Sequence, residues 1–254
     1  MGDSAMRNGP RRLIALSFAL FSALAFLSFV CAQTRPNAKQ NARQIAPEAP
    51  AKSTGEFAAG PVFIYEFTQP EFYVRHIIIE HDVTGKGKIS FERKDVDDVL
   101  SDQLELSPAA LARINALWQA LGYLESRTSY QAKKQFAHLG TIKLCVKRDG
   151  KEKWTTFNWT EDKSAAALAT EYRRLADQAI LVFDLKVARE NQPLATPKLL
   201  DTLEHLLARN ELADPPQLVP LLRDLAMDER LPLIARNAAT RALKKIERME
   251  RAEK

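Results

Sequence analysis

The chain reads as an α+β protein: a mostly antiparallel sheet of about five strands covered by helices, followed by a small C-terminal helical module. Three observations predict this. Runs rich in β-branched and aromatic residues concentrate between residues 61 and 159. Asp149-Gly150 sits between two alternating segments, a strong signal for a two-residue hairpin. From Asp162 onward most apolar residues recur at helical spacing.

Strands are expected at Val62–Phe67, within Phe72–Asp82 and at Lys88–Glu92, with Thr84-Gly85-Lys86-Gly87 as the punctuation before the third. Ser107-Pro108 supplies an N-cap and a first-turn proline. Leu111, Ile114, Leu117, Trp118 and Leu121 then follow at helical spacing until Gly122 closes the element. A polar connection leads to Thr141–Arg148, which pairs through Asp149-Gly150 with Lys151–Trp159. Pairing outward from that turn sets Arg148 opposite Lys151, Val146 opposite Lys153, Cys145 opposite Trp154, Leu144 opposite Thr155 and Ile142 opposite Phe157. One face then carries Ile142, Leu144, Val146 and Phe157, and the other Cys145 and Trp154, which predicts cover on both sides of the sheet.

Asp162 caps a long helix whose stripe runs Ala165, Leu168, Tyr172, Leu175, Ala179 and Val182, ending near Asn191. It is expected to cover the sheet and to bridge to the C-terminal region. Thr196-Pro197 and Asp214-Pro215 each read as a cap followed by a first-turn proline, opening helices through Leu199–Leu207 and Leu218–Leu225. A last helix begins around Leu231-Pro232 and runs through Ile234, Ala238, Ala242, Leu243 and Ile246.

The first 60 residues differ in kind. Leu13–Ala32 is an unbroken run of 20 uncharged, mostly apolar residues after Arg11-Arg12. This is the pattern of a secretory signal, with Val30-Cys31-Ala32 meeting the small-x-small rule for cleavage after Ala32. At ~1.5 Å per residue the same run would span ~30 Å, so an uncleaved anchor with the arginines inside is the alternative. Cys31 is poorly placed for acylation, with Val30 before it and Ser28 three before it. Residues 33–60 lack any period and are rich in Pro and Ala, as expected of a disordered linker. The expected organisation is therefore 1–32 signal peptide or membrane anchor, 33–60 linker, 61–192 α+β domain and 193–254 helical module.

The formal net charge is +5, and removal of residues 1–32 leaves 34 basic against 31 acidic side chains. Interspersed charge on an exported chain argues against nucleic acid as a partner. The same cleavage leaves Cys145 as the sole cysteine, so no internal disulfide is available and the fold rests on its apolar core.

Residues 216–228, PQLVPLLRDLAMD, followed by Pro232-Leu233-Ile234-Ala235-Arg236-Asn237-Ala238-Ala239 and Ala242–Ile246, resemble a HEAT-type repeat. The resemblance implies a pair of packed helices. It would place Asp228 and Arg236 in an inter-helix polar ladder with Asn237 beside it, a structural role. One such repeat is fewer than the three or so a solenoid needs, so it reads as a packing module.

No catalytic signature emerges. His76 and Glu80 fall on one face of their strand, with Arg75, Ile77, Ile79 and His81 on the other, and His138 is the candidate third ligand for a metal. Asp95, Asp97, Asp98 and Asp102 lack calcium-loop spacing and read as a solvated acidic loop. Gly85-Lys86-Gly87-Lys88 is too short to cradle phosphate. Cys145 has no neighbouring histidine and reads as structural. Asn158-Trp159-Thr160 matches the glycosylation sequon.

The resulting expectation is an exported, non-enzymatic interaction or structural module of the cell envelope or extracellular space. It has no cofactor, meets a protein partner through its C-terminal helices, and touches membrane only through its N-terminal segment. A metal-dependent or hydrolytic enzyme with its site on the sheet is the alternative, and a small-ligand carrier the third. An enzyme would bring two or more of His76, Glu80, Asp97, His138 and Cys145 together in one cleft. An interaction module would expose an apolar patch on the C-terminal helices, and a carrier would enclose an apolar cavity on the sheet.

Overall fold

Alternation along the first strands places Phe63, Tyr65 and Phe67 of β1 (Val62–Thr68) and Ile77, Ile79 and His81 of β2 (Val74–His81) on one buried face. The computed structural model describes residues 60–125 and 129–252. The apolar leader at 1–32 and the linker up to residue 59 lie outside them. Among the described residues no helix is long and apolar enough to cross a membrane.

The protein is α+β. Six antiparallel strands run in the order β4-β3-β2-β1-β5-β6, adding β3 (Lys86–Arg93), β4 (Val96–Glu105), β5 (Thr141–Arg148) and β6 (Lys151–Phe157). The helices are α1 (Pro108–Ala120), α2 (Lys163–Asn191), α3 (Thr196–Ala208), α4 (Val219–Met227) and α5 (Leu233–Ala252). Ser107 Oγ accepts from the Ala110 amide and Asp162 Oδ1 from the Ala165 amide, so both of these caps form as the sequence indicates.

The β5–β6 register is the one set by Asp149-Gly150, with Cys145 opposite Trp154 and Ile142 opposite Phe157. Both turn residues have positive φ, 52° and 71°, as a type I′ turn demands. In the β2–β3 turn, Asp82 Oδ1 accepts from the Thr84 amide, the Thr84 hydroxyl and the Lys86 amide. Gly87 then passes so close to β2 that a Cβ there would lie 1.8 Å from the Glu80 carbonyl oxygen.

The sheet corrects the sequence reading in three places. The acidic stretch around Asp97, Asp98 and Asp102 is not a loop but the edge strand β4, the sixth strand. Leu100 and Asp102 pair with the buried Phe91 and Ile89, Leu104 pairs with Gly87, and Lys186 of α2 pairs with Asp102 at 3.1 Å. An edge strand tolerates such charge because one side of its backbone faces water, and the acids deter pairing with another chain.

Second, the described helices cover only one face. The other face, with Ile64, Ile78 and Cys145 at its centre, leaves Trp154 62 % exposed beneath the Lys143 ammonium. Large aromatics on both faces did not require cover on both, because Trp154 sits on an edge strand where water reaches it. Third, a register shift between Val74 and His76 lets Arg75 reach Glu92, which also holds His76, so these neighbours share a partner instead of facing opposite ways.

α1 and the first part of α2 pack on the buried face, with Leu168, Tyr172 and Leu175 meeting Phe63, Tyr65 and Trp118 in one core. Further along, Leu181 and Leu185 belong to a second core with Leu200, Leu203, Leu222, Leu225, Ala235, Ala239 and Ile246. α2 therefore contributes to both cores, as a long amphipathic helix whose stripe drifts around its axis can.

The two later proline-marked helix starts differ from expectation. Thr196 is itself the first residue of α3, and its hydroxyl donates to the Pro193 carbonyl instead of capping. Asp214 makes no side-chain cap. Its backbone amide and carbonyl instead pair with the buried Gln178 amide of α2, and α4 is preceded by a 3-10 turn at Pro215–Leu218. In both cases a tertiary or local alternative satisfied the backbone first. Ile234 also leaves its expected stripe: it is exposed, and Ala235 takes the buried position.

Candidate functional site

His76, Glu80 and His138 do not converge. On the uncovered face His76 lies between two carboxylates, its Nε2 3.0 Å from Glu66 and its Nδ1 3.1 Å from Glu92. Hydrogen bonds from His76 and Arg75 hold the Glu92 carboxyl below its usual range against an opposing effect of burial. Glu80 pairs with Lys88 at 3.1 Å. His138 occupies an exposed turn, its ring edge-on to Phe136 and its backbone carbonyl accepting from Gln69. Asp97 is exposed on β4. Among the described residues no three potential ligands are grouped to hold a metal.

Cys145 is 1 % exposed and its thiol donates to Glu152 at 3.2 Å. Burial, then the Glu152 carboxylate, pushes its pKa up to about 12. A thiol so disposed stays protonated at neutral pH and is a poor nucleophile.

The buried polar group of the sheet core is a relay that sequence reading missed. Trp118 Nε1 lies 2.9 Å from the Tyr172 hydroxyl, which lies 2.8 Å from His81 Nε2, and His81 Nδ1 lies 2.8 Å from the Asp82 carbonyl. An indole N–H only donates and a carbonyl only accepts, so the directions follow. Trp118 donates to Tyr172, Tyr172 to His81 Nε2, and His81 Nδ1–H to Asp82. Every proton has an acceptor when the imidazole is neutral, whereas a protonated ring would leave the Tyr172 proton without one. Burial accordingly lowers the His81 pKa. These residues are 0 % exposed, and this closed network holds α1, α2 and the sheet together without access to a substrate.

In the helical module, Asp228, which the repeat resemblance would place with Arg236 in an inter-helix polar ladder, is bonded to two other arginines. Its carboxylate accepts from Arg189 Nε of α2 at 2.7 Å and from Arg230 at 2.8 Å, which keeps it well below the usual carboxylate range. Arg236 Nε is buried without a hydrogen-bond partner.

The Arg189–Asp228 pair, with Arg230 to Glu190 at 3.3 Å, places the C-terminus of α2 beside the α4–α5 turn. Glu204 of α3 pairs with Arg241 of α5 at 2.9 Å, while Ile246 and Met249 of α5 border the segment that follows α3, so α3 and α5 run parallel. The start of α3, the end of α4 and the start of α5 therefore share one end of the module. At that end Leu194 is 86 %, Met227 80 % and Ile234 65 % exposed, with Leu233 also exposed and Val187 of α2 nearby. Leu233 falls off the Ala235, Ala238, Ala242 spacing and so could have been found, whereas Ile234, four residues before Ala238, carried no such signal. Apolar residues off the buried stripe of a helix are left in water.

No protein-family model matches the chain, and no curated protein matches it in sequence.

Proposed function

We propose that the protein is an exported, non-enzymatic interaction module that engages a protein partner through the apolar end of its C-terminal helices. The observation that carries this reading is the exposure of Leu194, Met227, Leu233 and Ile234 at one end of the HEAT-like pair and its neighbours. Burying a side chain of this size against a partner contributes about 1.5–3 kcal/mol, and a few such anchors dominate a typical interface. The charges of Arg189, Glu190, Asp228 and Arg230 beside them are paired with one another, so they form a polar rim rather than a catalytic group. The scatter of His76, Glu80, Asp97, His138 and Cys145 weighs against the enzyme alternative. The N-terminal apolar run would deliver or tether the module outside the cytoplasm.

The test is in-cell photo-crosslinking in the native host, with a photoreactive residue at Met227 or Leu233 and a control at Asp98 on the edge strand. The expected result is one discrete protein adduct from the helical positions and not from the control, abolished by Ile234→Glu with unchanged thermal unfolding. Adducts that are absent, or equal at Asp98, would sink the proposal.

A further inference from the structure

Between α2 and the buried face of β1, β5 and β6 runs a cleft of about 750 Å³, within the size range of small-molecule sites. Phe67, Ile142, Phe157 and Trp159 form its apolar walls, and it opens to solvent at the half-exposed Trp159. Two polar groups meet at the wall of this cleft.

The first is Tyr65. Its side chain is 0 % exposed and its ring stacks on Tyr172 at 5.1 Å, yet its hydroxyl has no partner at normal hydrogen-bond geometry. Tyr172, one layer deeper, has its hydroxyl fully engaged. The second is Arg173. Its guanidinium lies over the Phe67 ring at 4.6 Å and the Phe72 ring at 6.0 Å, its closest carboxylate oxygen is on Asp177 at 3.8 Å, and it interacts with the Tyr65 hydroxyl.

The other two arginines of the cleft are committed: Arg174 to Glu171 and the Asn210 carbonyl, and Arg209 to Glu211 at 2.7 Å. Arg173 faces the Tyr65 hydroxyl, and its charge and hydrogen-bonding both favour the ionised phenol against the larger opposing effect of burial. A guanidinium N–H fork and a phenol O–H at the wall of one cleft match the two oxygens of a carboxylate.

We propose that this cleft binds a small amphipathic carboxylate, its carboxylate held by Arg173 and the Tyr65 hydroxyl and its apolar body against Phe157, Ile142 and Trp159. Asp177 also lines the cleft, and its carboxyl pKa is raised, by burial above all, against the opposing charge of Arg173. The cleft is separate from the apolar helical end, so the two sites stand or fall independently.

The probes are phenylacetate, 4-phenylbutanoate and 8-phenyloctanoate, which share the headgroup and lengthen the apolar body. Binding to the full chain is followed by Trp159 fluorescence and by calorimetry. At least one probe is expected to saturate, its primary amide to bind about tenfold or more weakly, and Arg173→Lys and Tyr65→Phe each to weaken the acid without weakening the amide. Tyr65→Phe is the variant that keeps the test decisive if Arg173 variants fold poorly, since it removes one hydroxyl and keeps the ring. Failure of all three acids to bind, equal binding of acid and amide, or unchanged affinity in Tyr65→Phe would each overturn the assignment.

Discussion

Tyr65 and Tyr172 stack ring on ring, at 5.1 Å and 13°, both fully buried, so the same one-atom deletion at each position provides an internal control. Tyr172→Phe keeps the ring and its packing but removes the hydroxyl that receives from Trp118 and donates to His81. It strands a buried indole N–H and a buried imidazole nitrogen. Each of the two stranded groups costs about 1–3 kcal/mol of uncompensated desolvation, so the variant should lose about 2–6 kcal/mol. Tyr65→Phe removes a hydroxyl that has no partner at normal hydrogen-bond geometry, and the unbound protein should be unchanged or gain about 1 kcal/mol. Equilibrium urea unfolding, followed by far-UV circular dichroism, measures both. Against a typical total of about 5–15 kcal/mol the first change is a large midpoint shift. The reasoning is refuted if the two variants shift in the same direction by similar amounts, or if Tyr172→Phe stays within about 0.5 kcal/mol of wild type.

The His81 ring predicts a pH dependence of definite sign. Its pKa is lowered in the folded protein, so below about pH 6.5 the unfolded chain takes up a proton that the folded chain refuses. Stability should be complete above that pH and fall as the pH drops through it. The isolating readout is the imidazole nitrogen spectrum, which should keep the neutral Nδ1–H form at pH 6; a protonated ring there would contradict the assigned network. Gly87→Ala should be severe, because its Cβ would collide with the Glu80 carbonyl oxygen and the His81 Cα, both backbone atoms of β2. A loss of about 3 kcal/mol or more is expected, whereas Gly150→Ala, with open space but φ +71°, should cost about 1 kcal/mol. Thermal unfolding of the pair checks the contrast, and comparable losses would show that the close approach at Gly87 is not rigid.

Much of the fold was readable residue by residue. Asp149-Gly150 dictated a register that the sheet follows through Ile142 and Phe157, and Ser107 and Asp162 announced the helix starts they cap. β4 was hidden because Asp97, Asp98 and Asp102 are poor strand formers, and only an edge position beside β3 makes the segment a strand. At Thr196 and Asp214 the local pattern announced caps, and other hydrogen-bond partners prevailed: the Pro193 carbonyl for Thr196 and Gln178 for the Asp214 backbone. The candidate cleft was invisible for a related reason. Tyr65 and Arg173 looked like a strand aromatic and a surface helix cation, and neither carries a mark of meeting the other until everything near it has been placed.

By itself, the sequence determined the α+β class, the strand alternation, the hairpin register and the apolar stripes that divide into two cores. These depend on residues within a few positions of one another, where chain geometry leaves few alternatives. The tertiary structure alone decided that Arg189 holds Asp228 across 39 residues. It also decided that Trp118, Tyr172 and His81 close a buried relay, and that Tyr65 and Arg173 meet at one cleft. Those outcomes depend on which polar groups packing brings within about 3 Å of each other, and a hydrogen bond is too short in range to be read from spacing along the chain.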